Sequence, residues 1–352
     1  IVGKEKELTY VDVCGDAETV YKPIKRIADL SAGFATEVLR ALDAEGRIVA
    51  VSNSITKNLV FFPELSKLPV VAGSGGGPLF VPDYEAILSQ NPDAVMTYIP
   101  WASIWTLKKN EWKENLPGVQ IISLGFINPM GAEYTGAGGV GKHSSILENT
   151  RKLGYILDKE DEAEEFCDWY ERWLNQIKER TAKLSEDEKP RIYTEWRQDY
   201  LFLKGRHHQI CVLAGGIDLL DDLPTISGKI DPEWVMEKNP DIIIIARSPG
   251  FSGGYGTDDP SGMKAIRDGV LNRPELANVA AVKNDRVYAE DTGLTNGPRT
   301  IITIAYHAKW YHPELFDDID PRAIHQEYLT RFQGLDYDLD KHGVFVYPPL
   351  ED

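Results

Sequence analysis

One stretch restricts the fold more than any other: residues 160–184 contain neither Gly nor Pro, and Pro190 closes the segment. Apolar side chains fall at Ala163, Phe166, Tyr170, Trp173, Leu174, Ile177 and Leu184, the three-and-four spacing of a helix with one buried face. Acids crowd its start (Glu160, Asp161, Glu162, Glu164, Glu165) and bases its second half (Lys178, Arg180, Lys183), as the helix dipole favours. At 1.5 Å per residue such a helix spans roughly 37 Å, about the width of a small domain. Length alone fits an ordinary core helix, so the flanking sequence decides its role.

Before the helix stand Asp83, Glu85, Asn91, Pro92 and Asp93, and after it, in the same register, Asp231, Glu233, Asn239, Pro240 and Asp241. In both copies an Asp suited to cap a short helix and a Glu in its first turn precede an Asn-Pro stop and an apolar run fit for a buried strand. Asn-Pro-Asp is common turn chemistry, yet the shared register points to two lobes built alike and separated by one long helix. At 352 residues the chain also exceeds what a single core usually holds, so two domains are expected. The expected boundaries are an N-terminal α/β lobe over 1–157, a linking helix over 158–188, a C-terminal α/β lobe over 189–316, and a helix and tail over 317–352.

Lys plus Arg number 38 against 55 Asp plus Glu, a formal net charge of −17. That balance argues against nucleic acid or an anionic membrane surface as partner, and no segment has the apolar length to span a bilayer. The first residue is Ile1 rather than Met, an appearance left by a removed signal or lipid anchor and equally by truncation. Cys14, Cys167 and Cys211 are too few and scattered for a disulfide framework or a Cys-type zinc site. Cys167, within the long helix, and Cys211, beside an apolar run, read as buried free thiols.

Short apolar runs at 48–51, 70–72, 94–97 and 119–124 in the first half, and at 192–194, 242–246 and 287–289 in the second, alternate with helical or turn segments. Parallel sheets covered by helices are expected, with a closing helix over 297–311 and another near 321–332. In open parallel sheets, ligands sit beyond the carboxyl ends of the strands. The residues just after these runs include Ser52 and Asn53, Gly73 to the glycines that follow it, Tyr98 with Trp101 and Trp105, Trp196 with Arg197, Arg247, the loop carrying Phe251 and Tyr255, and Arg299. Large aromatics there offer flat apolar area to a ring-bearing ligand. A guanidinium suits carboxylate or catecholate oxygens, although each arginine taken alone suits a surface ion pair equally well.

The run Gly136-Ala-Gly138-Gly-Val-Gly141-Lys142-His143 contains GxGxxG and misses a phosphate loop because His143 stands where Ser or Thr should be. Neither version has its strand immediately before it, so it reads as a glycine-rich loop. The seven histidines are dispersed apart from His207 and His208, which in a strand would point apart, and no spacing suited to zinc or manganese emerges. No nucleophile elbow, paired-carboxylate motif or Cys-His signature appears.

Taken together, Pro23-Ile-Lys-Arg-Ile27, Phe62-Pro-Glu-Leu-Ser-Lys-Leu-Pro69, Asp83-Tyr-Glu-Ala-Ile87 with Asn91-Pro-Asp93, the long helix, Asp231-Pro-Glu-Trp-Val235 with Asn239-Pro-Asp241, and Asn272-Arg-Pro-Glu-Leu276 through Val282-Lys-Asn-Asp-Arg-Val287 resemble a substrate-binding protein of an ABC importer. The class is the one that serves iron-siderophores, haem and cobalamin, and the resemblance covers residues 22–311. It implies two parallel-sheet α/β lobes joined by a single long backbone helix, with small closure on binding. It implies an extracytoplasmic monomer that takes a metal chelate, a ferric siderophore first, into the cleft between its lobes and delivers it unchanged to the permease subunits. Tyr98, Trp101, Trp105, Trp196 and Tyr255 would supply aromatic contact, and Arg197, Arg247 and Arg299 charge complement. A glutamate at each lobe tip docks onto permease arginines in this family, and Glu85 and Glu233 match those positions. First-turn acids favoured by the dipole account for them equally well. Neither a catalytic residue, a cofactor nor a protein metal site is called for. A corrinoid or haem is the alternative within the class, and a nucleotide-dependent enzyme built on Gly136 to the glycine at 141 the rival outside it.

Overall fold

The apolar runs of both halves become parallel strands. The computed structural model describes residues 6–73, 81–97, 102–129, 143–196, 199–204, 206–225, 227–247, 253–295 and 297–350, excluding the side chains of 102–107, 206 and 247. The chain divides into two units, Ile1–Glu171 with Leu329–Leu335, and Arg172–Tyr328 with Asp336–Asp352. The parallel-sheet α/β class expected from the sequence is what each unit displays.

The first unit opens on a hairpin of β1 (Lys6–Val11) and β2 (Ala17–Lys22). Its turn is held by the Asp12 carboxylate, which accepts the N–H groups of Cys14 and Asp16 at 2.9 Å each. Then come β3 (Ile27–Leu30), α1 (Phe34–Ala41), β4 (Ile48–Ser52), α2 (Asn53–Thr56), β5 (Val70–Ala72), α3 (Tyr84–Ser89), β6 (Ala94–Thr97), α4 (Ala102–Asn115), β7 (Gln120–Ser123) and α5 (Ile146–Leu157). The sheet order is β5-β4-β3-β6-β7, all parallel. Every residue of β3 and β6 is buried, as central strands covered on both faces require; β6 reads as an apolar run, whereas β3, interrupted by Asp29, is not among the runs the sequence displays.

Helix α6 (Glu160–Thr181) is the long helix read from the sequence, and the boundary between units falls inside it. It meets α5 closely: a Cβ on Gly154 would lie 2.5 Å from that of Ala163, so only glycine lets the two helices approach. Ala163, Phe166, Tyr170, Leu174 and Ile177 are buried as the spacing predicts, whereas Trp173 and Leu184 are half-buried. The spacing misses Trp169, buried by Phe332, whose ring centroid lies 5.0 Å away. Phe332 arrives from Leu329–Leu335, far along the chain.

The second unit contains β8 (Arg191–Trp196), β9 (Leu201–Leu203), α7 (Arg206–Leu213), β10 (Ile217–Asp218), β11 (Ser227–Lys229), α8 (Pro232–Lys238), β12 (Ile242–Arg247), α9 (Ser261–Leu271), α10 (Ala280–Lys283), β13 (Val287–Asp291), α11 (Thr300–Tyr311), α12 (Pro321–Glu327) and β14 (Val346–Tyr347), with a π-helical turn at Tyr328–Phe332. Its main sheet runs β10-β8-β12-β13-β14, parallel except for β14. His207 and His208 lie on α7 rather than in a strand. Cys167 and Cys211 are buried free thiols.

The pseudo-repeat extends to atomic detail. Asp83 caps α3 by accepting the Ala86 N–H at 2.9 Å, and Asp231 caps α8 by accepting that of Glu233 at 2.9 Å. Asn91 and Asn239 are both left-handed, at φ 49° and 42°, a conformation Asn tolerates better than most residues. Asp93 accepts the N–H groups of Lys25 and Arg26 at 2.8 and 2.9 Å, and Asp241 that of Arg191 at 2.8 Å. Each Asn-Pro-Asp thus stops a helix, turns the chain and ties the incoming strand to its neighbour. Among the described residues no helix is long and apolar enough to cross a membrane.

Candidate functional site

In each sheet the strand order reverses once: between β3 and β6 in the first unit, and between β8 and β12 in the second. Crossovers on opposite faces leave a crevice outside the carboxyl ends at that point, where open α/β sheets bind ligands.

In the first unit, β3 ends beside Asp29, which is fully buried. Its carboxylate accepts the Ser31 N–H at 2.9 Å and the Thr36 hydroxyl, while burial pushes its pKa up. Strands β4, β6 and β7 end at Ser52, Thr97 and Ser123, whose buried hydroxyls have no hydrogen-bond partner among the described residues. Tyr98, directly after β6, and Trp101 lie outside the described residues, as do 74–80 and the Gly136 loop. Trp105 belongs to α4, its side chain undescribed.

In the second unit, Trp196 closes β8 and pairs in register with Ala246, next to Arg247 at the end of β12. An aromatic residue and an arginine therefore stand side by side at the switch point. Arg197 lies outside the described residues, and Arg247 is placed by its backbone alone. The Trp196 ring meets His207 of α7 edge-on, centroids 5.8 Å apart. His207 Nδ1 lies 3.7 Å from Glu290 Oε1, and His307 Nε2 lies 2.7 Å from Glu290 Oε2. The His307 Nδ1 stands 3.1 Å from the Tyr311 hydroxyl. Which partner donates along this chain is set by the tautomer of His307. Linear spacing gave no sign that His207 and His307 would flank Glu290, which directly follows the apolar run at 287–289.

The end of β8 is anchored from below. Glu195, fully buried, accepts a two-pronged contact from Arg273 at 2.7 and 2.7 Å, the geometry in which an arginine best offsets a buried carboxylate. Arg273 also lies over the Tyr200 ring at 4.3 Å.

Arg299, buried ahead of α11, and Tyr255 are brought together, the guanidinium 6.0 Å from the ring centroid. The Tyr255 hydroxyl is 2.7 Å from His325 Nε2, and its ring is covered by Tyr337 and Phe345 at 5.3 and 4.7 Å. Tyr255 is thus an interior residue beneath Arg299 rather than a projecting one. A cavity of about 910 Å³ runs along the C-terminal residues, among Asp318, Arg322, His325 and Phe345; neither Trp196, Glu290 nor Arg299 lines it. Among the described residues no group of three or more His, Cys, Asp or Glu is arranged to hold a metal ion. Glu85 and Glu233 are exposed in the first turns of α3 and α8, and neither is in an ion pair among the described residues.

Residues 32–292 match the family model for periplasmic binding proteins. The chain belongs to the periplasmic binding protein family. This periplasmic binding protein is similar over 96% of its length to the TroA-like protein FepB of Veillonella parvula, covering 98% of that chain at 25% identity with a TM-score of 0.76. It shares its fold with the molybdate-bound MolA of Haemophilus influenzae (18% identity, TM-score 0.69, 94% and 99% of the two chains). The same holds for the nickel-histidine complex of Helicobacter pylori CeuE (18%, 0.65, 96% and 98%). No curated protein sequence matches this chain. The family consists of solute-binding proteins of ABC transporters, which implies an extracytoplasmic location.

Proposed function

We propose that this periplasmic binding protein captures a metal chelate, a ferric siderophore, at the carboxyl edges of its sheets and hands it unchanged to an ABC permease. The reading is carried by the switch point of the second sheet, where Trp196 and Arg247 end adjacent strands. An aromatic face beside a guanidinium suits an anionic, ring-bearing ligand. Tyr98, Trp101 and Trp105 are their counterparts after β6, and Arg197 extends the charge. Arg299, held over Tyr255, adds a further cation. Glu85 and Glu233 serve as the permease-docking acids. The similar proteins that hold molybdate and nickel-histidine make an oxyanion and a metal–amino-acid chelate the alternatives to a siderophore, beside haem or a corrinoid. The protein acts by binding alone, as a monomer outside the cytoplasm.

Fluorescence and thermal-shift titrations with a ferric catecholate, haem, cobalamin, molybdate and Ni(II)-histidine test this reading. A ligand at 100 times its Kd adds about 2.7 kcal/mol to stability. The expected result is such a shift with the ferric catecholate. A shift with molybdate or Ni(II)-histidine in its place reassigns the cargo, and one with ATP or NAD alone overturns the transport reading.

A further inference from the structure

The two short helices that carry Glu85 and Glu233 share a second feature. One turn on, at the same register, stand Leu88 and Met236, exposed by 39% and 40%. The preceding residues, Ile87 and Val235, are wholly buried. Residues three apart lie on one helix face, so each unit offers an acid and a large apolar side chain together. Single exposed apolar residues are ordinary on protein surfaces. Here the same exposure recurs at one register of the repeat although neighbouring positions of the two helices differ: Ala86 and Ser89 correspond to Trp234 and Glu237.

Of the neighbouring charges, Asp83 and Asp231 cap their helices and Lys238 pairs with Asp222 at 2.7 Å, whereas Glu237, exposed beside Met236, adds a second acid to the face of the second unit. Glu85 and Glu233 form no ion pair among the described residues. A face of this kind fits a protein surface that sets a base beside an apolar hollow. A second copy of this chain would bring acid against acid, and an anionic bilayer is disfavoured by the net charge of −17.

We propose that Leu88 and Met236 are the apolar halves of the two permease-docking contacts, each seated in a hollow beside the base that receives Glu85 or Glu233. This rests on the docking role given to the two glutamates above. Recognition is then amphipathic: the acids supply steering that salt screens, and the apolar pair supplies contact that salt leaves intact.

The test uses the cognate importer of the source organism, reconstituted in nanodiscs, and measures docking of the full chain from low to high salt. Leu88→Ala with Met236→Ala should weaken docking about tenfold at every salt concentration. Glu85→Gln with Glu233→Gln should weaken it at low salt and flatten the salt dependence. A cooperative urea transition kept in both variants reports that the units are folded. Wild-type docking by the apolar pair with a loss in the acid pair overturns this proposal and leaves the docking acids standing. Wild-type docking by both overturns the docking role itself. A change in self-association with docking intact assigns the face to a second copy and likewise overturns the proposal.

Discussion

His325 is fully buried, with Nε2 2.7 Å from the Tyr255 hydroxyl. Burial first, and the nearby Arg299 guanidinium second, pull its pKa from 6.5 down to about 3. In the folded protein it stays neutral where the unfolded chain would take up a proton. Its contribution to stability is therefore complete above 6.5 and lost as pH falls from 6.5 toward 3. His208, raised by its bond to Asp218, acts in the opposite sense, its contribution lost as pH rises through its folded value. Urea titrations at about pH 7.5 and pH 5 should show wild-type stability falling at the lower pH, and a shallower fall in His325→Gln. An equal fall in that variant would place the pH sensitivity elsewhere.

At the level of elements, the Asn-Pro-Asp turns were legible because each residue acts locally, as stop, kink or cap. What each couples to was not. Asn239 Oδ1 accepts the Ala280 N–H at 2.9 Å, joining α8 to α10, whereas Asn91 makes no such side-chain bond among the described residues. Asn239→Ala should cost the left-handed penalty of about 1–2 kcal/mol and also a hydrogen bond of about 1 kcal/mol; Asn91→Ala should cost the first alone. Paired urea titrations check the difference. The strands β6 and β12 were readable as apolar runs, since both faces of a parallel sheet are covered, whereas β3, interrupted by the buried Asp29, offered no such run. Two-residue β14 and the polar β11, Ser-Gly-Lys, carry no periodic signal and exist through pairing with β13 and β9.

Across the whole molecule, the chain leaves the first unit within α6, returns at Leu329–Leu335 and leaves again. Phe332, in that returning segment, is buried against Phe166 and Trp169, centroids 5.1 and 5.0 Å apart. Gln333 donates to the Glu37 carbonyl at 3.1 Å, and Arg331 pairs with Glu165 at 2.9 Å. The C-terminal stretch, which read as a helix and tail of its own, completes the first unit and then, through β14, extends the sheet of the second. Phe332→Ala should lower stability by about 3–5 kcal/mol, read from the urea midpoint. A loss under about 1 kcal/mol would mean that the segment merely lies on the surface.

The long helix, the paired capped turns, the buried strands and the α/β class follow from patterns within a few residues: periodicity, capping chemistry and turn residues act over one or two turns of chain. The candidate site was legible as positions, because the carboxyl end of a strand is known once the strand is. Its partners were not. Glu195 with Arg273, Glu290 between His207 and His307, and Tyr255 beneath Arg299 join residues distant in sequence. Burial forces polar groups to find such partners, but sheet order alone determines which ones lie within reach.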